Sequence, residues 1–236
     1  MNLEVGTEVE ADNSDSMVPH SLPDRWILSE LNQTAIDVNA ALENNRFHDA
    51  AQSLYHFFWD DFCDWYIELS KPLVTATQVT PEVKAARQRI VTVLEQSLRL
   101  LHPIMPFITE ELWQRLKIWR DANGETDLPE SICIAPFPAG DRSLIDEEAH
   151  QDMDVLTGII TRVRNIRSEM NIPPSIYFTL NLATPNEHLA DMVREYEWAI
   201  KRLARVETLN VSPELPATGL AAKAVLAEVE LSIPLE

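Results

Sequence analysis

The stretch from Phe47 to Leu69, FHDAAQSLYHFFWDDFCDWYIEL, carries eight of the chain's seventeen aromatic residues. Phe47, Ala51, Leu54, Phe58, Phe62, Trp65 and Leu69 recur every three or four residues, the spacing that lines one face of an α-helix. Tyr55, Trp59 and Tyr66 widen the apolar surface. A helix this apolar needs partners on several sides, so it is expected at the centre of a bundle, with Trp65 filling the middle. His56, Asp60, Asp64 and Glu68 form the polar remainder, an i, i+4 ladder. A metal site or an acid/base carboxylate pair would need a second cluster converging on it. The sequence offers none, and Cys63 and Cys133 have no zinc spacing. The ladder is read as a solvated or ion-paired face, and no metal ligands are expected.

Outward from this helix, Trp26, Ile27, Leu31, Ala35, Val38 and Leu42 form a preceding stripe that ends at Asn44-Asn45, so the two helices should be antiparallel. Lys71-Pro72 is expected to end the aromatic helix. Thr80-Pro81 then opens a third helix that runs to about residue 101. Pro103 and Pro106 break the chain before a fourth helix over 107–118, and turn residues with an extended run, SICIAPFP, fill 119–142. A fifth helix is predicted over 144–171 and a sixth over 184–203. Strands are predicted at 177–182, 206–211 and 229–233. The predicted fold is mainly α: an acidic tail or severed linker (1–23), an antiparallel helical bundle (24–142) and a small α+β subdomain (143–236).

Five glycines in 236 residues are too few for the loops of a complete nucleotide-binding domain. Residues 1–23 hold five acids and no Lys or Arg, unlike a targeting leader, and no apolar run is long enough for a membrane helix. Two lone cysteines point to a reducing compartment, so a cytoplasmic location is expected. The net charge of −19 repels phosphate, so any nucleic-acid contact must come from a local patch.

Four segments resemble the valyl-tRNA synthetases of class I. They are Asp24-Arg25-Trp26-Ile27-Leu28-Ser29, Phe62-Cys63-Asp64-Trp65-Tyr66-Ile67-Glu68 with Lys71, the run from His102 to Trp113 (HPIMPFITEELW), and Ile166-Arg167-Ser168-Glu169-Met170-Asn171-Ile172-Pro173-Pro174. The resemblance implies the anticodon-binding bundle and a small α/β extension. The family's catalytic domain, with its His-x-Gly-His and Lys-Met-Ser-Lys-Ser signatures, has no counterpart here, nor does its editing domain. The chain is expected to be a split gene product, an internal start or a domain fragment. It should carry no catalytic residue and no cofactor, since ATP and valine would bind the absent catalytic domain. The expected partners are a valine-accepting tRNA and a separate synthetase catalytic chain, with no membrane.

An anticodon loop presents unstacked bases, which proteins read by aromatic or guanidinium stacking and by amide hydrogen bonds. Asn44, Asn45, Arg46 and Phe47 bring those groups together, at the turn where the family's layout puts the anticodon. The alternative is that the Asn pair only makes the turn, Arg46 is solvated and Phe47 opens the core stripe. Arg162, Arg164 and Arg167 are the densest basic cluster. They either complement a helix C-terminus or contact tRNA phosphates. A different class of function, a free-standing helical protein-interaction module, would suit the acidic charge. No ATP–pyrophosphate exchange is expected from the purified chain; valine-dependent exchange, with host enzyme excluded, would overturn that expectation.

Overall fold

Ser21 caps the first helix, α1 (Leu22–Glu43): its hydroxyl accepts the Asp24 N–H at 3.4 Å, and Pro23 sits in the first turn, where no N–H is needed. The computed structural model describes residues 21–122, 128–216 and 220–234, and the chain divides after Asp146 into two units. The acidic tail read at residues 1–23 lies outside the described residues except for its last three, which cap and begin α1. In the first unit α1 is followed by α2 (residues 47–74), α3 (Pro81–Leu101) and α4 (Pro106–Ala122). Thr80 caps α3 as its sequence indicated, accepting the Val83 N–H at 3.3 Å. α1 packs on α2 and α3, α2 on α3, and α3 on α4.

The central helix departs from the 3.6-residue period. α2 is α-helical over Phe47–Tyr55, a π-helix over His56–Tyr66, and α-helical again over Ile67–Val74. The Ile67 N–H reaches back five residues to the Phe62 carbonyl. That wider turn spaces same-face residues four to five apart, so Phe57, Phe62 and Tyr66 point inward with Ala50, Leu54 and Leu69. Phe62 and Tyr66 stack with ring centroids 6.1 Å apart. The expected stripe is corrected accordingly. Trp65 is half-buried rather than central, Phe58 and Ala51 are half-buried, and Phe47 is 62% exposed. Pro72 does not end the helix either; it lies in the last turn, where its missing N–H removes one helical bond.

The second unit contains α5 (Glu147–Glu169), β1 (Phe178–Ala183), α6 (Glu187–Glu195), α7 (Glu197–Ala204), β2 (Val206–Ser212), β3 (Ala221–Leu226) and β4 (Val229–Pro234). The sheet order is β2-β1-β4-β3; β1 and β2 are parallel, and β4 is antiparallel to both its neighbours. Leu180, Leu182, Leu231 and Ile233 are buried, as are Ile159, Ile160 and Val163 of α5. α5 lies so close to β3 at Gly158 that a β-carbon there would meet the Leu226 side chain at 2.5 Å. The predicted sixth helix is two helices broken at Tyr196, and its cap is Asn186, whose side chain accepts the Leu189 N–H. The run SICIAPFP is not extended throughout; it holds a 3-10 turn at Ile132–Ile134. Among the described residues no helix is long and apolar enough to cross a membrane.

One buried charge joins three helices of the first unit. Asp24 on α1 accepts the Tyr66 hydroxyl of α2 at 2.9 Å and pairs with the Arg89 guanidinium of α3, also at 2.9 Å. The Arg89 side chain is 1% exposed and that of Asp24 8%. Burial, and then the Asp24 carboxylate, push the Tyr66 phenol far above its ordinary range. A carboxylate so placed is tolerable only while both donors remain. Arg89→Met should therefore cost about 3–5 kcal/mol by leaving the charge unpaired, and Tyr66→Phe about 1–3 kcal/mol. Urea denaturation checks both, and unchanged midpoints would show that the network holds nothing.

Candidate nucleic-acid interface

α1 ends in three tight closures. The Asn44 and Asn45 N–H groups bond the carbonyls of Ala40 and Leu42, and the Arg46 N–H bonds that of Ala41 at 2.8 Å. Asn45 takes the left-handed conformation at φ 57°, which asparagine tolerates better than most residues. The Asn44 side-chain amide bonds the Ala40 carbonyl at 2.7 Å, whereas the Asn45 side chain is exposed with no hydrogen bond among the described residues. Arg46 pairs at the surface with Asp49 at 3.0 Å. Phe47 projects into solvent beside it. The turn thus presents an amide, a guanidinium and an aromatic ring together, with Asn44 acting as a strut beneath them.

The arginine cluster separates on folding. Residues two apart on an α-helix lie roughly 200° apart around its axis, so exposed Arg162 and exposed Arg164 face different ways. Arg164 donates from Nε to the Leu203 carbonyl at 3.0 Å. Arg167 is buried: Nη2 donates to the Pro173 carbonyl at 2.6 Å, Nη1 to the Ile176 carbonyl at 3.0 Å, and the guanidinium lies 5.1 Å from the Phe178 ring centre. It fastens the chain between α5 and β1. In place of Arg162, the fold brings Arg205 and Tyr177 to this end of α5, with Arg205 Nη1 donating to the Tyr177 hydroxyl at 3.1 Å. Only the chain reversal between α7 and β2 makes that neighbourhood, so sequence spacing gave no signal for it.

A cleft of about 520 Å³ in the second unit has the opposite character. Glu148, Asp152, Asp154 and Glu228 line it together with Asn186 and His188. His188 Nε2 lies 2.9 Å from both Asp152 oxygens. The hydrogen bond to Asp152, and then its charge, raise the imidazole pKa. So acidic a cleft repels phosphate. Among the described residues no group of three or more His, Cys, Asp or Glu is placed to hold a metal ion.

Several of the quoted motif residues build the scaffold. Arg25 grips Asp146 through two bonds of 2.8 and 3.0 Å, and the Ser29 hydroxyl accepts the Asp146 N–H. Trp113 is fully buried and donates to the Pro129 carbonyl. Glu110 receives Gln114, the Ser131 hydroxyl and the Ile132 N–H, which together hold its carboxyl below the usual range. A family model described as the anticodon-binding domain of tRNA ligase matches residues 24–180, and the chain belongs to that family. Within it, the chain is 40% identical over 234 residues to the valine–tRNA ligase of Thermotoga maritima, covering 98% of this chain and 24% of that protein. The valine–tRNA ligase of Legionella pneumophila is 36% identical over 229 residues, 97% of this chain and again 24% of the relative. The chain thus spans about a quarter of the length of either.

The His188–Asp152 pair gives the second unit a pH signature. Its folded pKa is raised, so its stabilisation is complete below the ordinary histidine value of about 6.5 and is lost as pH rises through the folded value. The thermal midpoint of wild type should fall more than that of His188→Gln between about pH 6 and pH 8. Parallel profiles would show that the pair contributes nothing.

Proposed function

We propose that this chain binds the anticodon loop of a valine-accepting tRNA through Asn45, Arg46 and Phe47, with Asn44 shaping the turn. In this proposal it orients the tRNA for a catalytic domain outside the chain, where ATP and valine bind, and it acts in the cytoplasm. The observation that carries the reading is Phe47, 62% exposed at a turn of two asparagines and an arginine. An apolar ring left in water beside amide and guanidinium groups suits base stacking with hydrogen-bond readout. The family membership and the names of the relatives support the same partner. A second reading, a protein-docking module, is favoured by the start of α4, where Phe107 is 92% exposed beside exposed Ile104 and Ile108.

Because Phe47 lies outside the core, Phe47→Ala should leave the thermal midpoint nearly unchanged while removing a stacking contact worth roughly 1–3 kcal/mol. The measurement is a low-salt titration of valine tRNA against an anticodon-swapped version. A preference for the valine anticodon that disappears in folded Phe47→Ala supports the reading. Equal binding of both RNAs by wild type overturns the turn as anticodon reader, and binding of neither favours the docking module.

A further inference from the structure

The end of α5, the entry to β1 and the junction of α7 with β2 bring Arg164, Arg167, Arg205 and Tyr177 into one neighbourhood. Arg167 Nη1 lies 3.5 Å from the Arg205 carbonyl, and Arg164 Nε bonds the Leu203 carbonyl two residues earlier. Arg205 stands 6.0 Å from the Tyr177 ring centre and donates to its hydroxyl. The recorded partners of Arg167 and Arg205 are carbonyls, a phenol and aromatic rings, with no carboxylate among the described residues. The two cations oppose each other: the Arg167 pKa is lowered, first by burial and then by Arg205.

Such a grouping stands out in a chain of net charge −19, where Arg46, Arg115 and Arg194 each pair with a neighbouring acid. Arg205 also occupies the left-handed position that closes α7, φ 59°, where glycine or asparagine is the usual residue. A side chain held there against backbone preference points to a use for the side chain.

We propose that Arg205, with Arg164 and the half-exposed Tyr177, is a second tRNA contact that grips the phosphate-ribose backbone without reading sequence. This rests on the reading of the chain as a tRNA binder. Arg167 is the positioning residue, since its bonds to the Pro173 and Ile176 carbonyls fix the segment that carries Tyr177. Tyr177 occupies one N–H of the Arg205 guanidinium, which has five, and a phosphate accepts the remaining edge bidentately. The phenol ring packs against the adjoining ribose. Binding then relieves the repulsion between Arg205 and Arg167.

The test uses the whole 236-residue chain and a valine tRNA transcript titrated from about 50 to 200 mM salt, the range over which phosphate contacts separate from the rest. Arg205→Asn keeps the left-handed backbone and removes the charge. It should melt no lower than wild type, bind the transcript several-fold more weakly at low salt, and lose about 0.9 from the salt slope. Arg205→Lys should keep the slope and bind more weakly than wild type, because a point charge replaces a fork. Phe47→Ala, by contrast, should weaken binding with the slope intact. A folded Arg205→Asn with wild-type affinity and slope overturns this proposal alone. A wild type that binds with an Arg205-dependent slope yet ignores the anticodon supports it and overturns the turn as reader. A wild type that binds no RNA at any salt overturns both.

Discussion

A carboxylate cannot be buried alone, and the first unit is arranged around that constraint. Asp24 enters the bundle one turn after Ser21, and only Arg89 and the Tyr66 hydroxyl make its burial tolerable. Meeting both donors fixes the rotation of α2 and α3 against α1. Hydrophobic packing is less demanding, because several rotations of an aromatic helix would bury comparable area. A buried ion pair therefore adds orientation more than net stability. It also accounts for the aromatic helix turning Tyr66 inward instead of the larger Trp65.

The same constraint marks where sequence reading succeeds and where it stops. The end of α1 and the start of α3 were legible because Asn45, Thr80 and Pro81 act locally, through caps and turns that need no partner, whereas the Ser21 cap that starts α1 ahead of Asp24 went unread. The inward face of α2 was not, because the 3.6-residue template fails across His56–Tyr66, and nothing short-range in FFWDDFCDWY announces a wider turn. β3 was missed because Ala221-Ala222-Lys223-Ala224 lacks β-branched residues; pairing with β4 along Ala221–Leu226 makes it a strand. At the candidate interface the turn chemistry was readable, since Asn44 to Phe47 are consecutive. The fate of the arginines was not: Arg167 lies inside and Arg205 joins Arg164 only through a long-range chain reversal.

Charge is distributed unevenly within the second unit despite the acidic total. The cleft lined by Glu148, Asp152, Asp154 and Glu228 gathers negative groups at one part of the second unit. Arg164, with a bond to the Leu203 carbonyl, and Arg205, donating to the Tyr177 hydroxyl, stand at another. At physiological salt, charges beyond about 8 Å are largely screened, so a local cationic site can attract phosphate while the whole molecule repels it. Affinity at such a site is modest and sensitive to salt.

The π-helical segment also gives the gene some latitude in length. Phe57 and Phe62, five residues apart, share one face only because the turn between them is wide. Were a single codon lost between them, the spacing would become four, which an ordinary α-turn accommodates with both rings still inward. Upstream and downstream of this segment the same loss would rotate buried positions out of the core. Within the central helix, its middle is thus where a one-residue deletion disturbs the core least.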